Sequence, residues 1–590
     1  MRMTDITISA LHAAYQAGMP IEEVLRTCRE HLIAADDPGI FIHLVSQADI
    51  DAAVAALGPF DPLAKPLWGI PFAVKDNIDV AGMPTTAACP DFAYVPAEDA
   101  PVVARLKAAG AIVVGKTNLD QFATGLVGVR TPYPVPRNVL DPSLVPGGSS
   151  SGSAVATARG IVSFALGTDT AGSGRVPAAL NGIVGLKPSL GALSTRGVVP
   201  ACRTLDCVSV FATTVDDAWR VFEIAAAYDR ADPYSRNRPA RAAPTANTPV
   251  IGIPSPQSIR FFGDNVQQAA FDSAVAGIAA HGLTVRDIDF GPLYDVAGML
   301  YDGAWVAERL AAIKDFADGH ETALHPVTAK IILGARSLTA VDAFNGLYRL
   351  KALKRLAEAL LEGIDMLVVP TIPTLYTLKD LEADPIGPNS RLGTYTNFAN
   401  LMDLCGLAVP FGSRADGRPF GVTLLGRGGA DHMLAEFGAK LLGETGRAKA
   451  GPPSVASAES DDIEFVVVGA HLSGMPLNKE LTALGASFVR KSLTAPIYRL
   501  YALPTKPVEK PGLVRDGNGG GTAIETEVWR LAPAGFGRFV ASIPSPLGIG
   551  TITLEDRSEV KGFLVEPYAI EGAEEISQFG GWRAYVARMR

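Results

Sequence analysis

Histidine and cysteine are scarce in this 590-residue sequence, which has only eight of the first and five of the second. The cysteines, Cys28, Cys89, Cys202, Cys207 and Cys405, form no CxxC pair and lie near no clustered histidines, so neither a zinc site nor a disulfide framework is encoded. Such thiol usage points to an intracellular chain. Long hydrophobic runs are missing as well: no stretch approaches the roughly 20 apolar residues that cross a bilayer, so no membrane partner is expected. Near the N-terminus, Ile6, Leu11 and Tyr15 are interrupted by Thr7, Ser9 and His12, an amphipathic helix pattern and no signal-peptide core. The expected location is the cytoplasm. Basic runs are absent too, and 61 acidic against 52 basic residues leave a net charge of −9, which removes the electrostatic footprint of a nucleic-acid binder.

What is present is enough chain for two to four folding units. The 48% apolar share, the 19% charged share, 60 glycines and 43 prolines describe a compact globular protein. Asp232 to Pro249 is rich in Pro, Arg and Asn and reads as a surface excursion. Residues 448–462, rich in Pro, Ala and Ser, read as a linker between a domain over 1–447 and another over 463–590. Upstream, strand-like runs (Ile70 to Val74, AIVVG) alternate with helical patterns at 101–109, 264–280 and 340–362, which predicts an α/β body with a mostly buried sheet. Downstream, EFVVVGAH, ASFVRKS, IYRLYAL, ETEVWRL, GRFVASI and VKGFLVEPY read as strands, and 475–484 and 573–590 as helices, which predicts a smaller α+β domain.

The most informative segment is Pro146 to Pro188, PGGSSSGSAVATARGIVSFALGTDTAGSGRVPAALNGIVGLKP. Alone, its first Gly/Ser run reads as a flexible loop. Here it is followed by an Ala-rich helix pattern, a short strand and a second Gly/Ser turn at Thr170 to Gly174, all in an apolar framework. A phosphate-cradling loop does not fit, because the GxxxxGK[ST] spacing is absent.

This segment resembles the amidase signature family, whose GGSS, GTDxxGSxR and NGxxGLKP pieces stand nearly intact, and the likeness extends over most of residues 1–450. The resemblance implies a mixed central sheet covered by helices and a Ser-Ser-Lys triad with Ser173 as nucleophile, Ser149 as bridging serine and Lys75 as base. Lys75 lies in Gly69 to Asn77, which resembles the family's GxPxxxKD segment. The backbone N–H groups of Thr170, Ala171, Gly172 and Ser173 resemble the family's oxyanion hole, and the family associates the relay serine with a cis peptide bond. No histidine lies in any of these motifs, so a Ser-His-Asp triad has no candidate base. A lysine at its ordinary pKa is protonated at neutral pH, so Lys75 must be desolvated to act. Asp169 and Arg175 flank the nucleophile, and a pair bracing the turn is the reading preferred over direct catalysis.

Asn389 to Phe398, the LMDLCGLAVPFG that follows, and Tyr301 to Arg309 resemble the allophanate hydrolase branch of that family. The branch implies Tyr301 and Arg309 as substrate-holding residues, with Gly125 as a backbone contact. A planar guanidinium suits the carboxylate of a small anionic amide. The alternative is an arginine that pairs with Glu308 or a nearby acid. The C-terminal region resembles the γ-glutamylcyclotransferase-like domain of that branch, with His471 in its substrate loop. The implied activity is hydrolysis of urea-1-carboxylate to ammonia and N-carboxycarbamate, decarboxylation by the second domain, no cofactor and no metal. The implied partners are a second copy in a homodimer and a biotin-dependent urea carboxylase. A malonamate-type amidase with a tail used only for assembly, and a silent scaffold protein, are the rival readings; an intact Lys75, Ser149 and Ser173 set argues against the scaffold.

Overall fold

The apolar runs of the first part of the chain pair into a single sheet. A computed structural model describes residues 6–237, 249–302, 304–444, 462–504, 509–517 and 519–589. Most of both linker-like stretches, at 238–248 and 445–461, lies outside these residues. The chain divides into two units, Met1–Pro453 and Ser454–Arg590. Among the described residues no helix is long and apolar enough to cross a membrane.

Among the described residues the first unit carries eleven strands: β1 Phe41–Leu44, β2 Pro71–Lys75, β3 Ile112–Thr117, β4 Phe164–Asp169, β5 Val184–Lys187, β6 Cys207–Ala212, β7 Val250–Pro254, β8 Thr284–Ile288, β9 Met366–Pro370, β10 Leu404–Val409 and β11 Val422–Arg427. Their order is β1-β3-β2-β4-β6-β5-β10-β11-β9-β7-β8. Parallel pairs (β3 with β2, β2 with β4, β9 with β7, β7 with β8) and antiparallel pairs share the sheet, which is therefore mixed. The central strands β2, β4, β6 and β10 are buried along their whole length, which is why they read as unbroken apolar runs and not as alternating ones. The N-terminal amphipathic pattern forms the helix Ile8–Gln16, and the other expected helices form as Pro101–Ala108, Asn265–Ala279 and Ala340–Leu360.

Two adjacent parallel strands position the site. Phe72 of β2 faces Phe164 of β4 in register, with the rings stacked 5.0 Å apart between centroids. A one-residue slip would turn every side chain of either strand to the other face, so this pair fixes which residues meet at the strands' C-terminal ends. There β2 ends in Lys75, and β4 ends in Thr168 and Asp169 before the second Gly/Ser turn. The helix Ser151–Ala158, built of small buried residues, follows the first Gly/Ser run, and a cis peptide joins Gly148 to Ser149.

Among its described residues the second unit holds a five-stranded sheet and a three-stranded one. Its strands are β12 Ile463–Val467, β13 Ser487–Leu493, β14 Tyr498–Leu503, β15 Lys510–Arg515, β16 Glu525–Leu531, β17 Leu547–Thr553, β18 Glu559–Val565 and β19 Glu574–Glu575. The orders are β13-β16-β12-β18-β17 and β15-β14-β19. The α+β reading matches this unit, with two corrections. GRFVASI is no strand but lies mostly in the helix Pro533–Ala541, which starts on a proline and aligns Phe536, Phe539 and Val540 at helical spacing. The helix expected over 573–590 is confined to Trp582–Met589, after β19 and a short 3₁₀ turn.

Candidate active site

Lys75, at the end of β2, is fully buried, and its Nζ donates to Ser149 Oγ and to Thr168 Oγ1, both at 2.7 Å. Burial pulls its pKa down to about 7, against the opposing pull of Asp120, Asp206 and Asp169. Burial thus favours the free amine far more than for a lysine in water. Ser173 is 2% exposed, and its Oγ donates to the carbonyl of Gly125 at 3.4 Å. Ser149 and Ser173 are not hydrogen-bonded to each other, so a relay between them requires the Ser173 hydroxyl to turn.

The turn carrying Ser173 is held from beneath. The Asp169 carboxylate accepts from the N–H groups of Gly172 and Gly174, at 2.9 and 3.0 Å. Arg175 grips the same carboxylate through Nε at 2.9 Å and Nη2 at 3.0 Å. Burial alone would raise the Asp169 carboxyl, but Arg175 holds it below its ordinary value. The pair braces the turn, and breaking such a buried pair from one side costs about 3–5 kcal/mol. One expected oxyanion donor is corrected by this bracing: the Gly172 N–H is committed to Asp169. The amides of Thr170, Ala171 and Ser173 have no partner among the described residues and remain as donors. Thr170 is fixed through its side chain, which donates to Asp206.

Arg309 lies on the helix Ala304–Ala317 and is 2% exposed. It does not pair with Glu308, whose carboxylate accepts from the N–H and hydroxyl of Thr204 at 2.9 and 2.8 Å. Its guanidinium carbon lies 5.2 Å from the centre of the Tyr301 ring. Nη1 donates to Thr124 Oγ1 at 3.5 Å, while Nε and Nη2 have no partner. Gly125 is required to be glycine, since a Cβ there would stand 2.4 Å from Asp120 Oδ2.

In the second unit His471 is largely buried, stacked on Phe563 with centroids 5.3 Å apart and edge-on to Phe539 at 5.2 Å. Its Nε2 lies 3.1 Å from Glu480 Oε2, and burial lowers its pKa against the pull of that carboxylate. The loop after it is pinned by Glu527, which accepts from Ser473 N–H at 2.7 Å and Ser473 Oγ at 2.9 Å. The helix that follows spans only Asn478–Ala483.

Residues 23–435 match the Amidase family, and residues 463–587 match the Allophanate hydrolase C-terminal domain family. The chain belongs to the amidase family. This amidase is 40% identical to the allophanate hydrolase of Kluyveromyces lactis over 99% of both chains, with a TM-score of 0.72. It is 44% identical to the urea amidolyase of Saccharomyces cerevisiae over 89% of its own length and 30% of that relative's, so it spans about a third of that protein. A glutamyl-tRNA(Gln) amidotransferase chain from Symbiobacterium thermophilum is 36% identical over 63% of this chain and 82% of its own.

Around these residues the amidase places groups that the motifs do not single out. Thr168 is the second hydrogen-bond partner of Lys75. Asp206, buried and pushed up to about 6 by desolvation, accepts from Thr170 and from the amides of Ala201 and Cys202, at 2.9 and 3.1 Å. Asp120 accepts from the amides of Gly128 and Arg130, at 2.9 and 2.8 Å. The GxPxxxKD and GTDxxGSxR pieces could have pointed to Thr168, one residue before Asp169; nothing local marks Asp206 or Asp120 as neighbours of Lys75.

Proposed function

We propose that this amidase hydrolyses allophanate, urea-1-carboxylate, at its terminal amide, with Ser173 as nucleophile, Ser149 as proton relay and Lys75 as base. One observation carries the choice of a small anionic amide: the unpartnered atoms of buried Arg309 are Nε and Nη2. These are the two atoms with which Arg175 grips the Asp169 carboxylate in the same protein. A guanidinium buried with that edge vacant is built for a second carboxylate.

The neutral amine of Lys75 takes the proton of Ser149 Oγ, which takes that of Ser173 as Ser173 attacks the carbonyl carbon. The developing oxyanion faces the N–H groups of Thr170, Ala171 and Ser173. Collapse expels ammonia, protonated along the same path in reverse, and leaves an N-carboxycarbamoyl ester on Ser173. Water then attacks this ester by the same relay and releases N-carboxycarbamate. The Kluyveromyces lactis relative is named allophanate hydrolase, and the Saccharomyces cerevisiae relative urea amidolyase, which supports a place in urea degradation. A biotin-dependent urea carboxylase, on this polypeptide or another, would then supply the substrate.

Ammonia release from allophanate, malonamate, acetamide and urea tests the reading. Allophanate is expected to be turned over far faster than acetamide or urea, and equal turnover of neutral amides would overturn the assignment. Arg309→Ala is expected to cost roughly two to three decades in kcat/KM toward allophanate, because a charge-assisted, bidentate partner is lost, and to affect acetamide far less. An equal loss on both would make Arg309 structural.

The second unit is assigned the next step, loss of carbon dioxide from N-carboxycarbamate, with His471 taking part. His471→Ala in the full chain is expected to leave the first ammonia release unchanged and to prolong the life of N-carboxycarbamate, followed by carbon-13 NMR with labelled substrate. Identical lifetimes in the two proteins would leave the unit a role in assembly only.

A further inference from the structure

The nucleophile and the vacant edge of Arg309 are joined by one tight segment, residues 120–130. Phe122 and Ala123 both have positive φ, 51° and 52°, a left-handed conformation that is unfavourable for non-glycine residues and persists only where the surroundings impose it. The next two residues touch both ends of the site. Thr124 accepts Arg309 Nη1 on its hydroxyl at 3.5 Å, and the Gly125 carbonyl accepts the Ser173 hydroxyl at 3.4 Å.

The Thr124 carbonyl, which leads into Gly125, is held by Arg130. Its side chain is 1% exposed. Nη1 donates to the carbonyl of Thr124 at 2.9 Å and Nη2 to the carbonyl of Pro385 at 3.1 Å, while Nε has no partner. No side-chain carboxylate forms an ion pair with it among the described residues, although Asp120 lies near enough to act on it through space. Two buried guanidinium groups, Arg130 and Arg309, thus bear on the same residue, Thr124, the first on its carbonyl oxygen and the second on its hydroxyl. Burying a cation without an ion-pair partner is costly, and a neutral donor would brace a turn at less cost.

The geometry points to Arg130 as a positioning residue that sets the length of substrate the site accepts. By fixing the Thr124 carbonyl, which leads into Gly125, it fixes the separation between the Arg309 edge and the Ser173 hydroxyl, and with it the distance between scissile carbonyl and carboxylate that both can hold at once. In allophanate and malonamate one atom separates the two groups, and succinamate has one methylene more. This inference rests on the reading of the site given above.

The test compares malonamate, succinamate and acetamide as substrates of the full chain. Arg130→Met is expected to lower kcat/KM for malonamate about 100-fold, mostly in kcat, because displacement of reacting groups by an ångström has that size of effect. The malonamate-to-succinamate preference is expected to narrow by tenfold or more, and Arg130→Lys, which keeps a charged donor, to regain a good part of it. An equal fall on all three substrates, or an unchanged preference, overturns the proposal. Should Arg130→Met not fold, Thr124→Val removes the hydroxyl that accepts from Arg309 Nη1; it is expected to narrow the same preference, and an unaltered one is equally fatal. A native chain with no turnover of allophanate or malonamate overturns both this inference and the reading beneath it, whereas an active native chain whose variants keep the preference overturns this inference alone.

Discussion

Replacing Ser173 by alanine is expected to lower kcat for allophanate by roughly five to six decades, the scale seen when a serine nucleophile is removed from a preassembled relay. The fold should be unaffected. Ser173 makes one long hydrogen bond through its side chain, and the turn around it is held by Asp169 and Arg175 rather than by the hydroxyl. Alanine changes no buried charge, so thermal unfolding of Ser173→Ala is expected to coincide with that of the native chain. The amides of Thr170, Ala171 and Ser173 survive the substitution, which leaves any residual activity to them. Peptide mass spectrometry with a slowly turned-over substrate gives the complementary reading: the acyl adduct is expected on Ser173, and an adduct on Ser149 or any other serine would overturn the assignment.

Lys75→Met is expected to be nearly as damaging to kcat and to alter stability in the opposite sense. In the native chain activity should fall tenfold per pH unit on the acid side of about 7, where the amine becomes protonated. For stability, the unfolded lysine titrates near 10.5 and the folded one near 7. Between those values the unfolded chain binds a proton that the folded chain does not, so stability rises with pH across that window. The full span corresponds to on the order of 4–5 kcal/mol, and at neutral pH nearly all of it opposes folding. Lys75→Met lacks this component, so it is expected to be the more stable protein at pH 7, with the advantage shrinking toward pH 10. Denaturant unfolding of both proteins from pH 7 to 10 measures the difference; parallel curves would show that Lys75 keeps its ordinary proton affinity in the fold.

The site is readable where chemistry is written in contiguous residues. The strand that ends in Lys75 and the two Gly/Ser turns can be placed because each is a local backbone device, a buried strand end or a tight turn that admits only small residues. The bracing of the turn by Asp169 and Arg175 is readable for the same reason, the two lying six residues apart. What escapes the sequence depends on contacts between distant segments. Asp206 reaches Thr170 across 36 residues, and Arg130 reaches Pro385 across 255, with no periodicity or spacing to announce either. The Gly172 amide counts as an oxyanion donor only while the Asp169 carboxylate that occupies it is out of view. In the second unit GRFVASI misleads because its β-branched and aromatic residues outweigh Pro533, the start signal four residues upstream.

The five thiols lend the first unit a different kind of usefulness. All are buried and unbridged, and every one lies before residue 454. Burial raises each of them, Cys28 to about 12 and Cys207 to about 11, so almost no thiolate exists at neutral pH while the unit is closed. Alkylation of this protein is therefore a clock for the opening of the amidase unit alone, and it stays silent however often the cysteine-free second unit opens.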